Sequence, residues 1–330
     1  MKKVVVIGGG TGTFVVLSGL KKYPLDLSAV VSMADSGGSN KIIRDEFGLL
    51  PPSDVRQCLV ALADDTYVAQ KTLRQLFMYR FAKGVGTKGH TFGNLFLAAL
   101  SDITGNQVEA IKQAGKILHI KGRVVPVSLT KTNLVAKYNN DMVVKGEHEI
   151  DEPDFDGRLH IKKLSLSPRA AIYADAERVI KNANLIVLGP GDLYTSVLAN
   201  MVVSGVPEAL RNTKAQLVYI VNLVTKKGQT YGFGAKDHVF EIEKYIGRKL
   251  DFVIFNNGKF PPSIVRKYQK ENEHPVVDNL EANGRKVVKT DLLAREEVKK
   301  VSGDVLKRSL IRHDPKKLAK VLVKLLKVSS

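Results

Sequence analysis

The chain has 330 residues, 44% of them hydrophobic, and its 51 Lys and Arg outnumber 33 Asp and Glu, for a net charge of +18. This length allows a substantial core, the single cysteine, Cys58, excludes an internal disulfide, and no apolar run is long enough to span a membrane. We expect a soluble cytoplasmic protein, since the apolar run near the N-terminus is also too short for a signal peptide.

The first predicted element is a buried strand at residues 4–7, followed at once by a glycine-rich turn. Gly8, Gly9, Gly10 and Gly12 precede a predicted helix at residues 14–22. Glycine lets the backbone approach an anion closely, and a helix N-terminus offers free N–H groups. The spacing matches neither the dinucleotide motif nor the P-loop. A turn that merely reverses the chain is the alternative, but four glycines in five residues favour contact with a phosphate.

Strands and helices alternate through the rest of the chain. Further strands are predicted at residues 27–33, 185–188, 217–221 and 252–255, with a loop at 34–40. Further helices are predicted at residues 54–63, 69–80, 94–103, 106–114, 174–182 and 315–328. In the last helix, Asp314 is a suitable N-cap and Pro315 suits the first helical position. The alternation predicts a mainly parallel, Rossmann-like α/β sheet with helices on both faces.

Residues 116–166 interrupt this alternation. Three short β-type runs begin at Arg123, Asn133 and Met142, separated by turn residues. We therefore expect one α/β domain over residues 1–330 that carries a small β-rich insertion at about 116–166.

Polar and glycine residues collect where the predicted strands end, and this is where parallel sheets bind ligands. The candidate ligand-binding residues at these ends are Gly9, Gly10, Thr11, Gly12, Asp35, Ser36, Gly37, Gly38, Ser39, Gly189, Gly191, Asp192, Tyr194, Thr195, Ser196, Asn222, Thr225, Asn256, Asn257 and Gly258. Turn chemistry alone would also enrich such residues at the opposite ends, where they are sparser. The pattern predicts a neutral, donor-rich pocket for phosphate and sugar hydroxyls.

Three further groups add candidate residues at helix starts. Asp54 and Arg56 follow Pro51-Pro52, although an N-cap with a surface cation explains them equally well. His90 and Asn94 open the next helix, where His90 either contacts a ligand or closes the loop. Arg312 offers a bidentate donor for phosphate. All five side chains are therefore candidate ligand-binding residues.

Metal and hydrolase chemistry have little support. The seven histidines lack metal-ligand spacing, and no nucleophile elbow is present. Asp35, Asp54, Asp192 and Asp237 are possible ligands for Mg²⁺ against a diphosphate, but no motif indicates it. We expect no structural metal and no established cofactor.

Seven segments together resemble the YvcK-like family of gluconeogenesis and cell-morphogenesis factors, within the CofD superfamily. They are Gly8-Gly-Gly-Thr-Gly12, Asp35-Ser-Gly-Gly-Ser39, Pro51-Pro-Ser-Asp-Val-Arg56, Gly89-His-Thr-Phe-Gly-Asn-Leu95, Gly189-Pro-Gly-Asp-Leu-Tyr-Thr-Ser196, Asn256-Asn-Gly258 and Arg312-His-Asp314. The resemblance implies a Rossmann-like fold, binding of a UDP-sugar (UDP-N-acetylglucosamine in particular), a role in carbon partitioning and cell shape, and no established catalysis. It also implies that Arg312 contacts the nucleotide sugar.

The chain departs from the usual family pattern at three places. Asn40-Lys41 replace Ser-Gly, Ser53 replaces a glycine, and Asp192 replaces a serine. Asp192 puts a carboxylate near an expected diphosphate, where it either weakens anion binding or recruits a cation.

Two other functions remain open. One is a CofD-like, Mg²⁺-dependent transferase of the 2-phospho-L-lactate type, although the opening motif of that branch is absent. The other is nucleic-acid binding, suggested by the positive charge but not by any recognition motif. The expected partner is a nucleotide sugar rather than a nucleic acid or a membrane, and a homodimer is left open.

Overall fold

Ten strands form two sheets in the computed structural model, which describes residues 1–295 and 310–328. The strands are β1 (Lys2–Gly8), β2 (Leu25–Val31), β3 (Arg123–Pro126), β4 (Asn133–Tyr138), β5 (Val143–Lys145), β6 (Ile161–Ser167), β7 (Leu185–Leu188), β8 (Gln216–Ile220), β9 (Phe252–Asn256) and β10 (Lys286–Thr290). Seven of them make a parallel sheet in the order β10-β9-β8-β7-β1-β2-β3. The order reverses direction at β1, so a crevice opens between the ends of β1 and β7.

Helices cover both faces of the parallel sheet. They are α1 (Gly10–Leu20), α2 (Gly38–Glu46), α3 (Ser53–Leu62), α4 (Val68–Met78), α5 (Phe92–Thr104), α6 (Gln107–Ile117), α7 (Glu147–Asp151), α8 (Ala174–Lys181), a π-helix (Leu193–Leu198), α9 (Ala199–Met201), α10 (Val206–Asn212), α11 (Ala235–Ile246), α12 (Pro262–Gln269) and α13 (Pro315–Val328). None of the helices in residues 1–295 and 310–328 is both long and apolar enough to cross a bilayer.

Strand β1 separates two hydrophobic cores because its side chains alternate between the faces of the sheet. Val4 and Val6 belong to the core beneath α1, α3 and α13, whereas Val5 and Ile7 belong to the core beneath α8, α10 and α11. All four side chains are almost completely buried. This two-sided burial explains why the strand reads as a continuous apolar run.

The small sheet packs on the core that lies beneath α8, α10 and α11. Strand β4 pairs antiparallel with both β5 and β6. Residues 123–126, part of the expected insertion, instead pair with β2 in the large sheet. Short helix α7 follows β5 and lies over the crevice, where its residues line the cavity.

Most predicted elements agree with the structure, including the alternating fold and the cap of α13. Asp314 Oδ1 accepts hydrogen bonds from the N–H groups of Lys316 and Lys317 at 2.7 and 2.9 Å. The prediction of a loop at residues 34–40 was wrong at its end, because α2 begins at Gly38. Helix α2 begins with glycine and serine, so its first turn lacks the apolar periodicity by which a helix is predicted. Strand β10 and helices α11 and α12 were not predicted.

Candidate functional site

A cavity of about 810 Å³ opens at the carboxyl ends of the parallel strands. The loops after β1, β2, β7 and β8 form its floor. Helix α7 borders it on the side of the small sheet, and α12 with residues 310–313 borders it on the side of β10. This volume is within the range of small-molecule sites. Its position at the reversal of strand order is where open α/β sheets bind ligands.

The glycine loop after β1 packs against the loop after β7 so closely that side chains are excluded. A Cβ on Gly12 would lie 1.7 Å from the carbonyl oxygen of Pro190. A Cβ on Gly9 would lie 2.1 Å from a carboxylate oxygen of Asp54. Gly10 has a φ of +61°, which favours glycine. Gly12 is therefore required for the approach of two backbones, Gly9 leaves room for the Asp54 side chain, and the N-terminus of α1 faces the cavity.

Asp54, at the start of α3, lies beside this helix N-terminus. Its Oδ1 accepts a 2.8 Å hydrogen bond from the backbone N–H of Gly10. Burial, together with the negative charge of Asp35, raises the pKa of Asp54 to about 7. The Asp54 carboxyl thus accepts a hydrogen bond from one N–H group of the glycine cradle, the loop and first turn formed by residues 9–12. Its pKa lies near neutral pH.

Asp35 is tied to the start of α2 and to helix α7. Its carboxylate accepts hydrogen bonds from the backbone N–H of Gly37 at 2.9 Å and from the Asn40 side chain. It also shares a hydrogen bond with Glu147 of α7. Burial raises the pKa of Asp35, and burial with the charges of neighbouring carboxylates raises the pKa of Glu147 well above its usual range. The hydrogen bond between the two carboxyl groups lowers the pKa of Asp35 and raises the pKa of Glu147, so Glu147 is the better proton donor of the pair.

Arg56 is buried beneath the cavity by a polar network. Its Nε donates to Asn94 Oδ1 at 2.9 Å, and Asn94 Nδ2 donates to Ser53 Oγ at 3.0 Å. Ser53 Oγ in turn donates to Asn40 Oδ1 at 2.8 Å. Arg56 is 4% and Asn94 1% exposed, so their polar atoms depend on these partners. Asn94 acts here as a support for Arg56 rather than as a wall of the cavity.

The loop after β7 forms the wall nearest the small sheet. The Asp192 carbonyl accepts from the N–H groups of Ser196 and Val197, which begins the π-helix. Asn222 Nδ2 donates to the Gly191 carbonyl at 2.7 Å and so ties this loop to the end of β8. π-helical turns are common at functional sites.

Lys226, after β8, faces carboxylates from two directions. Its Nζ lies 3.3 Å from Asp151 Oδ2 of α7 and 3.9 Å from Asp192 Oδ2. Burial alone would lower the pKa of Lys226, but Asp192, Asp151 and Glu273 together outweigh it and raise that pKa. Removal from water raises the pKa of Asp192 to about 7 despite the opposing charge of Lys226.

Residues 310–313 close the end of the cavity near α12. Leu293 and His313 form an antiparallel bridge, and the N–H of Ala294 donates to the Arg312 carbonyl at 2.9 Å. These contacts fix the backbone of Arg312 at the rim. Burial lowers the pKa of His313 to about 3, so its imidazole is neutral at physiological pH.

The cavity brings many of the sequence-predicted residues together. Those that line it are Gly9, Gly10, Thr11, Gly12, Asp35, Gly37, Asp54, Arg56, His90, Gly191, Asp192, Thr195, Ser196, Asn222, Thr225 and Arg312. Gly38 and Ser39 begin helix α2. Thr225 also holds the loop, since its Oγ1 accepts from the N–H of His274 at 2.9 Å.

Other predicted residues support the loops or lie in the core. Tyr194 is 0% exposed within a hydrophobic core, because the π-helix turns it inward. Ser36 Oγ accepts from the N–H of His148 at 3.1 Å and anchors α7. Gly189 precedes the loop that packs on the glycine cradle.

The residues after β9 also lie outside the cavity. Asn256 Oδ1 accepts from the N–H groups of Gly258 and Leu292 at 3.2 and 2.9 Å, and Asn257 is exposed. Asp237 is remote as well, because it caps α11 through the N–H of Gly234 at 2.7 Å. Asp237 therefore does not join the other carboxylates suggested for Mg²⁺.

Sequence reasoning missed further lining residues, which come from α2, α7, the β8 loop, α12 and the segment before α13. They include Asn40, Glu147, His148, Asp151, Lys226, Lys267, Tyr268 and His313. The lining carries many more charged side chains than the expected neutral, donor-rich pocket, although the two signs nearly balance: seven Lys and Arg face eight Asp and Glu among the described residues that line it. The acidic run at residues 147–152 was the only feature of the sequence that could have indicated these charged lining residues. Within residues 1–295 and 310–328, no three His, Cys, Asp or Glu side chains are arranged to hold a metal ion.

Comparisons with known proteins agree with this architecture. The family model described as 2-phospho-L-lactate transferase CofD matches residues 4–293. The gluconeogenesis factor of Bacillus subtilis is 37% identical over 330 residues, covering 98% of each chain. The gluconeogenesis factor of Halalkalibacterium halodurans is 38% identical over 278 residues, covering 84% of each. A crystal structure of a UPF0052 family member from Bacillus halodurans superposes with a TM-score of 0.87 at 34% identity, covering 98% of each chain.

Proposed function

This chain belongs to the CofD family, together with the gluconeogenesis factors it resembles over almost its whole length, and we propose that it binds a nucleotide sugar without transforming it. The ligand is UDP-N-acetylglucosamine or a close relative. Binding serves carbon partitioning towards the cell wall during gluconeogenic growth, and cell shape. Cytoplasmic location is part of the same proposal.

The observation that carries this proposal is the glycine cradle at the reversal of strand order. The Gly12–Pro190 approach leaves room for backbone only, and the N-terminus of α1 points into the cavity. Backbone N–H groups and a helix N-terminus together favour a phosphate. Arg312 lines the same cavity and has a guanidinium group suited to a diphosphate.

The relatives' names support a role rather than a reaction. "Gluconeogenesis factor" names a metabolic process and no chemical step. The proposal of binding without turnover follows that distinction.

A second candidate is a Mg²⁺-dependent transferase, which the family description and the carboxylates of Asp35 and Asp54 favour. Both carboxylates line the cavity beside the cradle and would hold such an ion, which would supply positive charge to a bound diphosphate. Their existing hydrogen bonds to Gly37, Asn40 and Gly10 leave one Asp54 oxygen with no such bond. The binding proposal needs no such ion.

A thermal-shift panel with UDP-sugars, GDP, NAD and RNA, each with and without Mg²⁺, separates the candidates. We expect UDP-N-acetylglucosamine to raise the melting temperature without Mg²⁺ and to be recovered intact by mass spectrometry. Release of a new phosphorus-containing product would favour the transferase. Stabilisation by RNA alone would contradict both.

A further inference from the structure

One wall of the cavity is chemically unlike the glycine cradle. We define the polar wall as Asp151, Asp192, Thr195, Lys226 and Gln229, which come from α7, the π-helix region and the β8 loop. The first four line the cavity, and Gln229 lies directly behind them.

The polar wall is a built site rather than a group of surface charges. Gln229 is 0% and Thr195 5% exposed. Gln229 Nε2 donates to Asp151 Oδ1 at 3.0 Å, and Thr195 Oγ1 donates to the same oxygen at 3.3 Å. These bonds fix the Asp151 carboxylate, which in turn holds Lys226. The side chains that face the cavity are therefore preorganised.

The charge of this wall does not suit a phosphate. Lys226 lies among the carboxylates of Asp151, Asp192 and Glu273, which raise its pKa. A diphosphate placed against this wall would meet the carboxylates of Asp151 and Asp192. Carboxylates with one ammonium group instead suit uncharged groups that both donate and accept hydrogen bonds, such as sugar hydroxyls.

The spacing of Lys226 and Asp192 suits a bridging hydroxyl. Their charged atoms are 3.9 Å apart, which is longer than a direct hydrogen bond. An oxygen placed about 2.8 Å from each atom would accept from Lys226 and donate to Asp192, with an angle of roughly 90° at that oxygen. Asp192 is 36% exposed and Lys226 20%, so a ligand can reach both side chains.

The wall also lies next to the cradle. Asp192 directly follows Gly191, and a Cβ on Gly191 would lie 3.7 Å from the Gly9 carbonyl oxygen. In a nucleotide sugar the sugar is bonded to the diphosphate, so the two subsites must adjoin. Here they do.

We propose that the polar wall is the subsite for the uncharged sugar of the ligand, with Asp192 and Lys226 as the residues that recognise a sugar hydroxyl. This assignment rests on the proposed function.

The test is a calorimetric comparison of UDP-N-acetylglucosamine with UDP on the full chain. Asp192→Asn keeps the shape of the side chain but cannot accept at both oxygens, and Asp192→Ser removes the carboxylate and shortens the side chain. We expect both variants to lower the preference for the sugar nucleotide over UDP by about tenfold, the effect of one hydrogen bond to a charged group. Asp141→Asn, an exposed hairpin position that pairs with Lys137, is the matched control and should keep the wild-type preference.

The possible results separate the subsite from the proposed function. If the variants tighten binding of both ligands equally, Asp192 lies beside the diphosphate and the assignment is wrong. An unchanged preference in both variants also overturns it. If the wild-type chain binds neither ligand, the proposed function fails and the sugar subsite fails with it. Melting curves of Asp192→Asn and Asp192→Ser show whether either variant has a folding defect. If one does, the binding preference of the other tests the assignment.

Discussion

The carboxylate of Asp54 accepts a 2.8 Å hydrogen bond from the backbone N–H of Gly10, so an acidic side chain lies at the N-terminus of the cradle helix. Helix N-termini attract anions through their free N–H groups and their dipole. Asp54 therefore occupies a position that suits a ligand phosphate. Its pKa of about 7 makes this arrangement sensitive to pH.

Ligand affinity should fall as pH rises through 7. Ionised Asp54 repels the diphosphate, whereas protonated Asp54 does not, and the diphosphate of UDP-N-acetylglucosamine keeps its charge across this range. If the phosphate raises the pKa of Asp54 by about one further unit, affinity falls by roughly fivefold between pH 6 and pH 8, out of a limiting change of about tenfold. Calorimetry with a chelator present measures this change. Asp54→Asn should flatten the profile, and an equally steep profile in that variant would contradict the role of Asp54.

The stability of the free protein should depend on the same group. Because folding raises the pKa of Asp54 from about 3.8 to about 7, the folded state binds this proton more tightly than the unfolded state. The contribution of Asp54 to the free energy of unfolding therefore decreases as pH rises through this window. Urea denaturation at pH 5.5 and pH 8 should show a larger loss for the wild type than for Asp54→Asn. Comparing the two proteins removes the opposite dependence from His313, whose pKa is lowered.

Gly12→Ala tests the close approach of the two loops. The added methyl group would lie 1.7 Å from the Pro190 carbonyl oxygen, so the loops must separate. We expect a loss of roughly 1–3 kcal/mol in the free energy of unfolding, as for overpacked cores, together with loss of ligand binding. Gly105→Ala is the control, since Gly105 has a φ of +62° but open space around it. Gly105→Ala should lower the free energy of unfolding but bind the ligand normally. Normal binding by Gly12→Ala would contradict the role of the glycine cradle in binding.

Asn94→Ala tests the support of Arg56. The variant removes the acceptor for Arg56 Nε in a buried network and leaves a desolvated donor. We expect the free energy of unfolding to fall by roughly 1–3 kcal/mol. Gln269→Ala, which removes an exposed amide at the end of α12, should have little effect. Equal effects of the two substitutions in urea denaturation would show that the network contributes nothing.

The sheet was predictable from sequence because its strands are buried on both faces. The run at residues 4–7 is apolar at every position, and the glycines after it mark the strand end without ambiguity. The cradle follows from the same reasoning, since glycine at Gly12 is needed wherever two backbones approach this closely. Strand β10 was missed because Lys286 and Lys289 break its apolar pattern, as an edge strand allows.

The composition of the cavity was not predictable to the same extent. Asp151 and Lys226 are 75 residues apart and meet only because β4 and β5 carry α7 over the crevice. Tyr194 reads as a loop residue from its motif, yet the π-helix turns it into the core. Local sequence identifies strand ends, whereas contacts between the insertion and the sheet depend on tertiary packing.

The most direct test of nucleotide-sugar binding is a calorimetric titration of Arg312→Ala with UDP-N-acetylglucosamine beside the wild type and Arg266→Ala. Arg312 lines the cavity, whereas Arg266 is an exposed arginine of α12 that does not. Loss of one charge-assisted phosphate contact costs about 1.5–3 kcal/mol, or roughly tenfold to a hundredfold in affinity. We predict this loss for Arg312→Ala alone, with saturable binding in the other two proteins. Unchanged affinity in Arg312→Ala, or no binding by the wild type, would contradict the assignment of the cavity.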